Sequence, residues 1–250
     1  MALDFNQRSY TKSVDQTAID EGLRAYMLKV YNYMTIGLLI TGLVAYFFGK
    51  ASVLSNEMGQ IVGLTEIGNL LLNSPLQWVI MLAPLGFIFF LQARIQTMSV
   101  SSAQTTFWLF ATIMGLSLCY IFIVFTQSSI VRVFFITSGT FGAMSLYGYT
   151  TKRNLSNFAG FLMMGLIGLI IASVVNIFMQ SSAIQFMISI VGVIVFTGLT
   201  AYYTQTIKNM YYAGDSEEAS SKKAILGALS LYLAFINLFI MLLQLLGQRR

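Results

Sequence analysis

Histidine is absent from the 250 residues, cysteine occurs once, proline twice, and only 9% of the chain is charged. Each scarcity removes a class of chemistry. Without histidine there is no Ser–His or Cys–His dyad for nucleophilic catalysis and no imidazole for a metal. A single cysteine forms neither an intrachain disulfide nor a thiolate cluster. In its apolar run, Cys119 reads as a small buried hydrophobe. The shortage of charge reaches furthest. Soluble domains carry roughly 25% charged residues, whereas 57% of this chain is hydrophobic. The composition is that of an integral membrane protein crossing the bilayer several times. The net charge of +5 is spread in basic runs of at most two residues, which suits membrane orientation and not nucleic-acid binding.

Seven apolar stretches stand between charges or polar breaks, near residues 30–49, 75–93, 105–125, 130–149, 157–179, 185–207 and 224–246. Each is about 20 residues, the length a helix needs to cross ~30 Å of hydrocarbon. No charge occurs from Asn154 to Ile207, which is too long for one span, and Gln180-Ser181-Ser182 divides it. Thr126-Gln127-Ser128-Ser129 parts the third span from the fourth less sharply, so a six-span or re-entrant arrangement is the alternative. Unbroken apolar runs do not fit a β-barrel. The expected fold is an all-α integral membrane protein with seven transmembrane helices over residues 30–247. It follows a cytoplasmic N-terminal segment, residues 1–29. That segment has no apolar core and is not a cleavable signal. Ser13-x-x-Gln16 and Thr17-x-x-Asp20 have capping-box spacing, and Ile19, Leu23, Tyr26, Leu28 and Val30 lead helically into the first span. Residues 51–74, with Glu57 and Glu66, read as an interfacial loop or short surface helix. Pro84 falls inside the second span, and Pro75 suits its first turn.

Arg8, Lys12, Arg24, Lys29, Arg94, Lys152, Arg153, Lys208, Lys222 and Lys223 share one side of a seven-span topology. Lys50, Arg132, Arg249 and Arg250 share the other. The bias places the N-terminus in the cytoplasm and the C-terminus outside. All nine acids fall outside the spans. An intramembrane aspartyl protease lacks its carboxylates, an intramembrane serine protease its histidine, and a retinal protein its lysine in the last span. No enzyme is expected, no metal site and no cofactor. Among uncharged groups, Asn176 and Asn237 lie within spans and suit helix–helix hydrogen bonds. Gly139, Gly142, Gly160, Gly165, Gly168, Gly192 and Gly198 suit close helix approach. Arg94 and Arg132, at span ends, have stems long enough to snorkel.

Four blocks in the second half are recognisable: Phe141-Gly-Ala-Met-Ser-Leu-Tyr-Gly-Tyr-Thr-Thr-Lys-Arg-Asn-Leu-Ser156, Gly165-Leu-Ile-Gly-Leu-Ile-Ile-Ala-Ser-Val-Val-Asn-Ile-Phe178, Gly198-Leu-Thr-Ala-Tyr-Tyr-Thr-Gln-Thr-Ile-Lys208 and Ala228-Leu-Ser-Leu-Tyr-Leu-Ala-Phe-Ile-Asn-Leu-Phe239. In this order and spacing they resemble the Bax inhibitor-1 family, in its bacterial branch, over roughly residues 20–247. The resemblance implies seven helices with the last one central, packed among the other six, in a bacterial inner membrane. It also implies a calcium leak that responds to pH, or partnership with a membrane protease. The leak mechanism of that family uses two facing aspartates in the last two spans, near an arginine of the second. The arginine matches Arg94. The aspartates are replaced by Tyr203, after Ala201-Tyr202, and Ala234, after Tyr232-Leu233. A third frequent aspartate is Asn154 here, and an arginine after Leu242-Leu243 is Gln244.

The candidate pore region is therefore Arg94, Tyr203, Ala234 and Asn237, with Asn176 and Asn154 as helix–helix contacts. Two close carboxylates share a proton and ligate calcium. A tyrosine phenol loses its proton only near ~10, and alanine offers no ligand. The scaffold carries over, and the paired-aspartate switch is expected to be absent. A non-conducting interaction protein is the alternative to a leak.

Overall fold

The computed structural model describes residues 3–56 and 61–250, with side chains from Asp20 onward except Ser55. The described elements begin with α1 (Leu3–Ala51), a hairpin of β1 (Val53–Ser55) and β2 (Ile61–Leu64), and α2 (Glu66–Leu72). There follow α3 (Leu76–Arg94), α4 (Val100–Leu118), α5 (Ile121–Val124), α6 (Gln127–Thr150), α7 (Ser156–Met179), α8 (Ser182–Asn209) and α9 (Glu217–Leu246). Seven stretches are long and apolar enough to cross a membrane: Asp20–Ala51, α3, Val100–Val124, α6, α7, α8 and α9. The break before Gln127 settles the third and fourth spans as separate helices.

Several helix starts follow polar caps. Ser99, Ser181 and Ser216 each accept the backbone N–H three residues on, opening α4, α8 and α9. Glu217 and Glu218 occupy the first turn of α9, where the helix dipole favours negative charge. α1 departs from expectation. It is helical from Leu3 and runs through residue 30 without a break. Ser13 and Thr17 thus lie inside it and do not start it; the side chains of residues 13–17 lie outside the described residues. The segment 51–74 also carries more order than a loop. β1 and β2 pair antiparallel. Thr65 then caps α2, accepting from Gly68 N at 3.1 Å. Glu57 lies outside the described residues.

α9 is the hub: 67% of its apolar window is buried, against 11% for α3 and for α7. Its principal neighbours are α1, α4, α6 and α8, while α3 leans mainly on α4 and α7 on α8. The last helix is central, but α3 and α7 stand outside it, so it is not packed evenly among six. Outer faces are apolar because their solvent is hydrocarbon; Phe178 of α7 is 83% exposed. Cys119 is buried, as its apolar run suggested.

Two features make the packing possible. Gly148 of α6 meets α8 at the backbone, so that a Cβ there would lie 2.3 Å from the Ala201 carbonyl oxygen. Gly115 brings α4 close to α1 in the same way, with 2.8 Å to the Thr41 carbonyl. Of the glycines singled out from the sequence, Gly165, Gly192 and Gly198 do lie against side chains, whereas Gly139, Gly142, Gly160 and Gly168 face open space. Those four are not packing glycines, because their side of the helix has no neighbour. The second feature is Pro84. Proline has no N–H, so the carbonyl four residues back, Ile80, loses its helical donor. Ser117 of α4 supplies one, its hydroxyl donating to that carbonyl at 2.5 Å.

Candidate functional site

The residues proposed for a pore come from three helices. Tyr203 lies on α8 and Ala234 and Asn237 on α9, and these two helices pack along each other. Arg94 ends α3. It is exposed and, among the described residues, forms no ion pair. It therefore does not join Tyr203 and Ala234 in a charged centre. Its exposure at the end of α3 suits a side chain that snorkels to the interface. Arg132, in the first turns of α6, is exposed too.

Ala234 is 1% exposed. It belongs to the apolar core, together with Tyr232, Phe235 and Leu238 of the same helix. Tyr203 is half-buried against that core and its ring lies 5.6 Å from Tyr202. Asn237 turns inward on its own helix, donating to the Leu233 carbonyl at 2.8 Å. No group of three or more acids or thiols that could hold a metal gathers among the described residues.

Among the described residues the interior polar groups are mostly hydroxyls and amides with their hydrogen bonds closed, the Tyr26 and Thr197 hydroxyls being buried without a partner. Thr204 donates to the Thr200 carbonyl at 2.8 Å, which leaves Ser145 to donate to Thr204 at 3.0 Å and Tyr31 to donate to Ser145. This chain links α1, α6 and α8 and ends on a backbone carbonyl, with no titratable acceptor. On the other side Thr41 donates to the Ala111 carbonyl at 2.8 Å, so Tyr232 donates to Thr41 at 2.6 Å. Phe107 and Phe110 meet the Tyr232 ring edge-on. α1, α4 and α9 are thereby locked at mid-bundle.

Amides secure the ends. Asn176 accepts from Ser181 N at 3.0 Å and donates to Gln185 at 3.2 Å. Gln185 in turn donates to Gln244, which also accepts from Ser189 at 2.9 Å. Asn176 is thus a helix–helix contact, and it holds the α7–α8 turn, where Gln180 adopts φ 50°. Asn154 is not such a contact. It is exposed and caps the start of α7 locally through Ser156 N at 3.0 Å. Gln205, which drew no attention in the sequence, does the equivalent work at the other end. It accepts from Leu155 N and donates to the Arg153 carbonyl, both at 2.8 Å. No linear pattern marks it, since its partners lie some fifty residues away.

With this geometry in place, comparison with known proteins is informative. A family model described as inhibitor of apoptosis-promoting Bax1 matches residues 23–250. The chain belongs to the Bax inhibitor-1 family. Relatives extend over nearly all of it. An uncharacterised protein of Rickettsia prowazekii is 44% identical over 99% of both chains. The inner membrane protein YbhL of Escherichia coli is 44% identical over 92% of this chain and 94% of its own. An uncharacterised protein of Caulobacter vibrioides is 39% identical over 99% of both. The Bax inhibitor-1 match takes in both Tyr203 and Ala234.

Proposed function

We propose that this chain is a non-conducting binding protein of a bacterial inner membrane, built on the Bax inhibitor-1 scaffold but without its pH-gated calcium path. One observation carries this reading: the methyl of Ala234, 1% exposed, occupies the place of the family's second aspartate. Calcium takes six to eight oxygen ligands, carboxylates foremost. A cation at mid-bilayer needs charge or oxygens to replace its water. Ala234 and the tyrosine at 203 provide no carboxylate, and the Thr200 and Thr204 hydroxyls of α8 donate to backbone carbonyls of their own helix.

YbhL is named an inner membrane protein, which supports the same membrane here. The crowding of basic residues on one side supports a cytoplasmic N-terminus. The partner class is another membrane protein, a membrane protease being the one that the family resemblance implies. No role as an enzyme is proposed. A second reading, a calcium leak indifferent to pH, draws on the Tyr31–Ser145–Thr204 chain, which places hydroxyls inside the bundle. Calcium flux into liposomes separates the two. The chain as it stands is expected to pass none, and Tyr203→Asp with Ala234→Asp to confer flux that varies with pH. Flux through the unsubstituted chain would overturn the non-conducting reading.

A further inference from the structure

α1 and α6 flank a gap that the bundle leaves open. A groove of about 1050 Å³ runs between them, floored by Phe235 of α9. It continues into a second of about 280 Å³ that shares Leu38, Gly42, Phe134 and Phe235. Along α1 the lining extends from Asp20 to Tyr46. At 1.5 Å per residue that is ~39 Å, more than the ~30 Å hydrocarbon thickness. The walls are apolar, and Leu39 and Leu146 at the rim are 61% and 64% exposed. The groove thus opens sideways to lipid. Gly42 and Gly142 line it with no atom within 4 Å of where a Cβ would stand. Apolar walls repel water, and an empty slot forfeits dispersion contacts along its length. Hydrocarbon has to fill it.

The mouth says what is attached to that hydrocarbon. Asp20 and Arg24 lie there, one helical turn apart and both exposed. Neither is within ion-pair distance of the other or of any described side chain. Arg24 is nearer the apolar lining by about 6 Å, four residues of rise. We propose that the groove holds a phospholipid with a primary-amine headgroup, from the leaflet on the N-terminal side. Its acyl chains lie between α1 and α6, its phosphate on Arg24 and its ammonium on Asp20. The order of charges along α1 matches the order along such a lipid, where the phosphate adjoins the glycerol and the amine lies outside it. A glycerol headgroup is uncharged beyond its phosphate and offers Asp20 no cation. A choline headgroup has no N–H to donate. A partner's transmembrane helix would fill the slot but would have to meet both charges with its own.

The test is native mass spectrometry of the full chain in detergent, offered phosphatidylethanolamine, phosphatidylglycerol and phosphatidylcholine with matched acyl chains. Preferential retention of phosphatidylethanolamine is expected. Asp20→Asn should cut its advantage over phosphatidylcholine by about twofold to fivefold, the range of an exposed ion pair. Arg24→Gln should weaken retention of all three. Gly142→Leu grows into open space, so it should expel the lipid while circular dichroism stays unchanged. Three outcomes would overturn the proposal: equal retention of the three lipids, retention unaffected by Gly142→Leu, or cysteines at the groove cross-linking to a second copy or to another helix.

Discussion

Removing the Ser117 hydroxyl should cost more than its size suggests. Ser117→Ala leaves the Ile80 carbonyl with neither the Pro84 N–H nor its replacement. A backbone carbonyl unsatisfied in hydrocarbon costs several kcal/mol in the limit. Ile80 lies only one turn inside α3, within reach of interfacial water, and interhelical side-chain hydrogen bonds in membranes average about 0.6 and reach about 1.7 kcal/mol. The expected loss is therefore about 1 kcal/mol. The reasoning makes a second, sharper demand. In a Pro84→Ala background the helix regains its own N–H at that position, so Ser117→Ala should cost under about 0.5 kcal/mol. Reversible unfolding in mixed micelles across the four proteins of this double-mutant cycle gives the coupling directly. Equal costs of Ser117→Ala in both backgrounds would refute the link between serine and proline.

Three further outcomes follow from local geometry. Gly148→Ala puts a methyl against the Ala201 carbonyl and should destabilise by about 1–3 kcal/mol in the same unfolding assay, while Gly139→Ala, facing open space, should be near neutral. Tyr232→Phe removes one bond of the α1–α4–α9 lock and should cost about 1 kcal/mol without loss of helix by circular dichroism. Gln180→Gly relieves a left-handed backbone and should raise stability by up to about 1 kcal/mol, read as a higher melting temperature.

The spans were legible because the chain has so little charge. Both polar breaks, Thr126 to Ser129 and Gln180 to Ser182, contain a helix boundary, although Gln127 to Ser129 and Ser182 fall inside the helices that follow. What the sequence could not show was which face of each helix meets a neighbour. Helices apolar all round carry no periodic mark of their inner side. Gly139 and Gly148 therefore look alike on paper, yet one faces open space and the other touches a backbone. The same limit hid Ser117, Gln205 and the Tyr31–Ser145–Thr204 chain, whose partners are set by tertiary contact. Arg94 was a matter of reach: its position in the sequence allowed an inward pose, and the structure leaves it exposed. Tyr203 and Ala234 were singled out on the family resemblance, which is read from the sequence without the fold.

Calcium flux through the unsubstituted chain, in liposomes from mildly acidic to mildly alkaline pH, tests the central claim most directly. The account predicts flux no greater than that of empty liposomes at every pH. A flux that switches across that range would contradict it, since neither Tyr203 nor Ala234 supplies a carboxylate to act as the switch.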